Sequence, residues 1–338
     1  MKEQGRNPRV GVLAESRAQV DALAHAVSSH GYELLACDVI RNLDAAWSPI
    51  CVDVWLADLG EKDEGHLDVL LETGTPVLLG IEHAPQPATQ AFTLWERRVY
   101  TKLRGMVGAP KLDAGLAALD AEDLKPGTRT QLIWSADSSR NSGCYVCVLA
   151  ASLGGPEAVK EFLDNLPEGL PVAFILAQHI DGRMLDILPR VLGRHNHFHI
   201  RIATDGEELK PAEVLIAPVE QELDFDEHGR IHLCGRPWQG PYAPSMDQVL
   251  ANVSRAFGKQ SLAVIFSGMG SDGSMSGPDL IKRGGRILAQ DAASCACSSQ
   301  PDSMRARGCV SDNGRPAELA SKLVDYLKSV YQQNGAVH

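Results

Sequence analysis

Residues 149–163 read "LAASLGGPEAVKEFL", and the fold turns on what this stretch does. Just upstream, Cys144-Tyr145-Val146-Cys147-Val148-Leu149-Ala150 is a short apolar, partly β-branched run of the kind that forms a buried strand. Downstream, Pro156 suits a first helical position, and Val159, Phe162, Leu163 and Leu166 recur at helical spacing. Ser152 is therefore placed on a strand-to-helix turn, beside a helix N-terminus whose N–H groups lack intrahelical partners. Such a turn suits a nucleophile or a bound anion. It suits an ordinary helix cap equally well, because serine is a preferred capping residue. "AASLG" also falls one residue short of the G-x-S-x-G elbow of hydrolases. The serine acquires meaning only from its partners.

The same strand-then-helix alternation extends outward in both directions. C-terminal to the turn, strands are predicted over 171–178, 213–217, 262–267 and 286–290, joining the one over 144–150. Helices are predicted over 156–166, 183–193, 246–257, 275–283 and 316–332, and "ELDFDEHGRIHLC" reads as a hairpin around His228-Gly229. N-terminal to it, "RVGVLAE", "YELLAC", "CVDVWLADL", "TPVLLGI" and "RRVYTKL" read as five strands, with an amphipathic helix in "RAQVDALAHAVSSHG" and weaker ones near 40–47 and 63–73. A short helix over 112–123 leads into a polar tract ending "KPGTRTQLIWSADSSRNSG". The fold class is thus α/β. One parallel-sheet domain is expected over 8–123, a linker over 124–142, and a second, doubly wound domain over 143–332. Two domains also suit a chain of 338 residues.

Composition narrows the function classes. A net charge of −11 argues against a nucleic-acid partner. No apolar run is long enough to span a bilayer, so membrane insertion is not expected, and the N-terminus lacks the apolar segment of a secretory signal. Eight cysteines in a chain of this length fit a reducing cytoplasm rather than a disulfide framework. Cys144 and Cys147 form a C-x-x-C, but positions i and i+3 of a strand face opposite sides, so a structural role is expected for both. His195, His197 and His199 alternate in "RHNHFHIR", with no carboxylate or cysteine at ligand spacing, and a solvated face is expected rather than a metal site.

In open parallel sheets the chemistry gathers at the carboxyl ends of strands. There "VAFILAQHI" ends in Gln178-His179, and "LAVIFSGMGSDG" ends in a glycine-rich turn carrying Met269 and Asp272. Three strand ends thus offer a serine, a histidine and an aspartate, which matches nucleophile, base and orienting carboxylate. The chain order Ser, His, Asp differs from the Ser, Asp, His of α/β-hydrolases. Asp181, Arg183 and Met184 follow His179 and could line the site, although Asp181 also suits an N-cap. Ser245 and Asp247 fit a helix N-terminus.

Four stretches, "AASLGG", "AQHI", "APSMD" and "SGMGSDG", followed by "GGRILAQDAASC", together resemble the catalytic domain of the chemotaxis protein-glutamate methylesterase family. The resemblance covers residues 144–330. It implies Ser152 as nucleophile, His179 as general base and Asp272 as the carboxylate that orients it. Leu153, Gly154, Gly155, Met269 and Gly270 then form the turns that hold the oxyanion and substrate. It further implies hydrolysis of glutamate methyl esters on methyl-accepting chemotaxis receptors without a cofactor, a second deamidase activity, a cytoplasmic setting, and a chemosensory histidine kinase as partner. Leu153 stands where the family usually has threonine. Two other readings stay open: a receptor-binding adaptor on the same fold, and a serine esterase of small esters.

By the same resemblance the N-terminal half is a divergent, receiver-like (flavodoxin-like) domain. Asp58, ending the third strand, falls at the phosphoacceptor position, and Lys102, near the end of the fifth, at the receiver lysine. Ala14-Glu15 supplies one carboxylate where a receiver has an acidic pair for Mg²⁺, and "LLGIEH" lacks the expected hydroxyl. Mg²⁺ binding in this half is accordingly expected to be weakened.

Overall fold

A computed structural model of the protein describes residues 6–40, 47–59, 64–87, 89–110 and 144–335. The helix expected over 112–123 and the linker over 124–142 lie outside these residues. The chain divides into two compact units, residues 1–111 and 112–338.

In the first unit, β1 (Arg9–Ala14), α1 (Arg17–Ser29), β2 (Glu33–Val39), β3 (Val54–Asp58), α2 (Glu64–Glu72), β4 (Val77–Leu78) and α3 (Gln90–Val107) follow in order. The four strands form a parallel sheet in the order β2-β1-β3-β4, which matches the first four positions of the 2-1-3-4-5 order of a receiver-like fold. Ser16 opens α1 by accepting a hydrogen bond from the Gln19 N–H. Trp55 lies flat against β1 at Gly11, where a Cβ would come within 2.4 Å of its ring, so only glycine lets the indole into the core with Leu13, Ala57 and Leu70.

"RRVYTKL" is not a strand. It is the second half of α3, and Lys102 projects from that helix rather than from a strand end. The reason lies upstream of the stretch. Phe92, Trp95, Val99, Tyr100 and Leu103 are all buried and recur at helical spacing, and Thr89 caps the first turn. A window opening at Arg97 misses Phe92 and Trp95, where that stripe begins.

The second unit contains β5 (Tyr145–Ala151), α4 (Gly155–Asp164), β6 (Val172–Gln178), a 3₁₀ turn (Gly182–Met184), α5 (Leu188–Leu192), β7 (His199–Ile202), β8 (Glu213–Ile216), and the hairpin strands β9 (Leu223–Phe225) and β10 (Ile231–Leu233). Then come α6 (Met246–Phe257), β11 (Ser261–Ile265), α7 (Gly277–Lys282), β12 (Arg286–Gln290), α8 (Ser299–Ala306), β13 (Asp312–Gly314) and α9 (Pro316–Gly335). Seven strands form one parallel sheet in the order β13-β12-β11-β5-β6-β8-β7. All seven residues of β5 are buried because helices cover both faces. Cys147, Leu149 and Ala151 point into one core with Phe162, Phe174 and Phe266. Val146, Val148 and Ala150 point into the other with Met246, Leu250 and Val253.

The strand order reverses at β5: the chain runs through β6 on one side and returns as β11 on the other. This is the switch point at which open α/β sheets place their chemistry. The helix expected over 183–193 is reduced to the 3₁₀ turn and α5, and that over 275–283 to α7. Of the three alternating histidines only His199 lies in β7, and His195 has φ +68°, so they do not share one strand face.

Candidate active site

Ser152 is the first residue past β5, and its N–H donates to the Ser267 carbonyl at 3.1 Å, tying the turn to the one after β11. Two glycines follow for steric reasons. Gly154 has φ +71°, and a Cβ there would lie 2.5 Å from Ala296 Cβ. At Gly155 a Cβ would lie 2.7 Å from both Ala151 Cβ and Gln178 Oε1. Close packing of α4 onto the sheet therefore needs bare backbone, which explains the sequence "SLGGP". Ser152 is buried, and its Oγ has no hydrogen-bond partner within the protein.

His179 is the first residue past β6, with its N–H donating to the Ala151 carbonyl at 2.9 Å. Its Nε2 lies 3.0 Å from Asp272 Oδ2, and both side chains are buried. Asp272 sits against the N-terminus of α6. Its Oδ2 accepts from the Met246 N–H at 2.7 Å, and its Oδ1 accepts from Asp247 and Gly273 N–H groups at 3.1 and 3.0 Å. Unsatisfied helix N–H groups thus fix the carboxylate, and the carboxylate fixes the ring. With Nε2–H engaged by Asp272, Nδ1 is the nitrogen of a neutral ring left to accept a proton.

One face of the His179 ring stacks on Tyr242, with ring centroids 5.1 Å apart and planes within 6°. Tyr242 escaped sequence reasoning. Its one sequence signal is an aromatic residue just ahead of "APSMD". Ser245 caps α6 through the Gln248 N–H at 3.4 Å. Asp247 accepts from Met275 and Ser276 N–H groups, which holds the loop behind Asp272 in place.

The turn after β11 is closely pinned. Ser267 Oγ donates to the Leu153 carbonyl at 2.7 Å, the Gly268 N–H donates to the Cys297 carbonyl at 2.9 Å, and the Gly270 N–H to Ser299 Oγ at 3.0 Å. The Gly155 N–H donates to the Ser152 carbonyl at 2.9 Å. Of the five turn residues singled out in the sequence, Gly155 and Gly270 therefore have their N–H groups engaged inside the protein. Leu153, Gly154 and Met269 donate none of the backbone hydrogen bonds found in these turns. Past His179, the Met184 N–H bonds to the Asp181 carbonyl to form the 3₁₀ turn that includes Arg183, and Met184 packs against the core.

Cys144 and Cys147 are free, as are the other six cysteines. Burial pushes the Cys144 thiol up to about 11 and the Cys147 thiol higher, which keeps both protonated and unreactive. Among the described residues, one group of three ligand-type side chains lies close together: Glu222, Asp224 and Cys234. Arg236 and Arg255 already neutralise its two carboxylates.

In the first unit, Asp58 ends β3 next to the end of β1, as a phosphoacceptor would. Its Oδ2 is paired with His83 Nδ1 at 3.1 Å. Lys102 Nζ donates to the Gly80 carbonyl at 3.1 Å. Among the described residues no group of three close ligands includes Asp58. Asp58 is thus engaged by an imidazole, and Glu15 is the one carboxylate that directly follows β1.

A buried histidine–carboxylate pair at the strand end next to that of a buried serine, at the switch point of a doubly wound sheet, brings together the residue types that serine hydrolases use. Residues 147–323 match the family described as CheB methylesterase, and the chain belongs to that family. It is 35% identical over 184 residues to a protein-glutamate methylesterase/protein-glutamine glutaminase of Anaeromyxobacter dehalogenans, covering 54% of each chain. To one of Myxococcus xanthus it is 34% identical over 192 residues, 57% of this chain and 53% of that one. The crystal structure of the Thermotoga maritima CheB methylesterase catalytic domain superposes with a TM-score of 0.52 at 26% identity, over 55% of this chain and all of that one. The chain thus spans about half the length of the curated relatives it matches.

Proposed function

We propose that this protein is a cytoplasmic protein-glutamate methylesterase acting on methyl-accepting chemotaxis receptors, with deamidation of receptor glutamines as a second activity. The observation that carries this reading is the His179 ring, held between the Asp272 carboxylate and Tyr242 one strand away from the buried, unpartnered Ser152 hydroxyl. In this reading Ser152 attacks the acyl carbon while His179 takes its proton at Nδ1, and Asp272 stabilises the resulting imidazolium. Backbone N–H groups of Leu153, Gly154 and Met269 hold the oxyanion, each such donor contributing about 3 kcal/mol to lowering the barrier. Methanol leaves with the proton from His179, and water then releases the glutamate by the same route. An amide passes through the same tetrahedral intermediate and releases ammonia. The names of the relatives pair the two activities. No helix among the described residues is long and apolar enough to cross a membrane. In this reading the enzyme meets the receptors through their cytoplasmic segments, in a pathway that includes a histidine kinase.

The deciding experiment is methanol release from methylated receptor by wild type and Ser152→Ala. Loss of the nucleophile should lower the rate by roughly 10³-fold or more. A variant retaining more than a tenth of wild-type activity would sink the assignment. Receptor binding without methanol release would favour an adaptor, and turnover of small esters alone would favour a general esterase.

A further inference from the structure

Gln300 is a fully buried residue in the first turn of α8. Its N–H donates to the Gly268 carbonyl at 3.0 Å, which clamps the start of the helix onto the turn after β11. Its side chain faces that turn, and neither Oε1 nor Nε2 has a hydrogen-bond partner within the protein. Gly268 shows where the carboxamide lies. A Cβ on Gly268 would sit 2.3 Å from Gln300 Oε1 and 2.8 Å from Ser152 Cβ. The carboxamide and Ser152 therefore both pack against the bare face of Gly268, close to one another, which only a residue without a side chain allows. Ser152 Oγ is likewise buried and unpartnered.

A buried carboxamide with both ends unsatisfied destabilises the fold relative to an apolar side chain of the same shape. If Gln300 only filled space, methionine would fill it better. Its polar end would be satisfied by a complementary group entering from outside. The group that enters beside Ser152 is the substrate acyl group, whose oxygen is an acceptor in both an ester and a primary amide. A carboxamide can turn either end toward it, and only Nε2 can donate.

Resting on the assignment of Ser152 as nucleophile, we propose that Gln300 is a substrate-contacting residue whose Nε2 donates to the acyl oxygen and supplements the backbone donors of the two turns. The bond strengthens as that oxygen gains charge, so the contribution falls on the chemical step rather than on binding.

Gln300→Met keeps length and removes both polar atoms; Gln300→Glu keeps the shape and replaces the donor with an acceptor. Both should lower kcat on methylated receptor by about ten- to a hundredfold with little change in KM. The melting temperature of Gln300→Met should be unchanged or higher, because an unpaired buried amide has been removed. A second readout is the rate at which a fluorophosphonate labels Ser152, since its phosphoryl oxygen occupies the place of the acyl oxygen. That arm reports on Gln300 even if receptor methyl esters prove not to be the substrate.

A drop of more than fivefold in kcat or, should wild type release no methanol, in labelling rate, with the melting temperature retained, bears the proposal out. A smaller drop overturns it. A lowered melting temperature with activity lost only in proportion to unfolded protein makes Gln300 a packing residue and also overturns it. A wild type that neither releases methanol nor is labelled overturns both this proposal and the nucleophile assignment.

Discussion

At Leu153 the chain puts an apolar side chain where the resemblance leads one to expect a threonine hydroxyl able to steady the histidine. The ring is nevertheless held on two sides, by a carboxylate at Nε2 and by the parallel face of Tyr242, and a stacked aromatic contact contributes about 0.5–1.5 kcal/mol. What anchors the turn at this position is the Leu153 carbonyl, which accepts from Ser267 Oγ, and a side-chain change leaves that bond intact. Leu153→Thr is therefore expected to leave kcat unchanged or raise it modestly, with a thermal midpoint close to wild type. A large loss of turnover would mean that the half-buried leucine packs in a role that the family pattern does not carry.

Asp272 belongs as much to α6 as to the reaction. Both of its oxygens accept backbone N–H groups, from Met246 on one and from Asp247 and Gly273 on the other. An asparagine must turn its NH₂ toward at least one of those donors, leaving a buried N–H without an acceptor, at a cost of about 1–3 kcal/mol. Asp272→Asn should consequently lower the urea midpoint as well as the rate. His179→Ala should abolish turnover with a smaller stability loss, and a normal midpoint for Asp272→Asn would show that the carboxylate is not what holds the helix. The elements that build this site were legible because each strand is a continuous apolar run ending in Ser152, His179 or the glycine turn, and a run buried on both faces leaves a strong signal. Tyr242 and Gln300 were not legible. Their roles depend on a loop and a helix start folding back over the sheet, and single residues in irregular segments carry no period. "RRVYTKL" misled for a different reason. Its β-branched and aromatic residues suit either structure, and the residues that settle the matter, Phe92 and Trp95, lie before it.

Across the whole chain, the first unit has a parallel sheet consistent with a receiver-like domain, and its candidate acceptor carboxylate is engaged inside the unit. Asp58 is paired with His83, and Lys102 lies in a helix, with its Nζ on the Gly80 carbonyl. A phosphoryl group acts as a switch only to the extent that it binds two states differently, and few of the groups that would register it remain. A small-molecule phosphodonor with Mg²⁺ should therefore change full-length esterase activity by less than about threefold, under 1 kcal/mol. Asp58→Asn should behave like wild type. Tenfold activation that Asp58→Asn removes would make this unit a working receiver. The position of β5 has a further consequence. A strand whose seven residues are all buried, lying between two others at the centre of the sheet, opens only when the unit opens as a whole. Edge strands such as β7 and β13 can exchange their amide protons through local fluctuations while Ser152 stays anchored to the slowest-exchanging part of the domain. In mild denaturant, catalysis would then persist through fraying of the sheet margins and vanish in one step with the global transition.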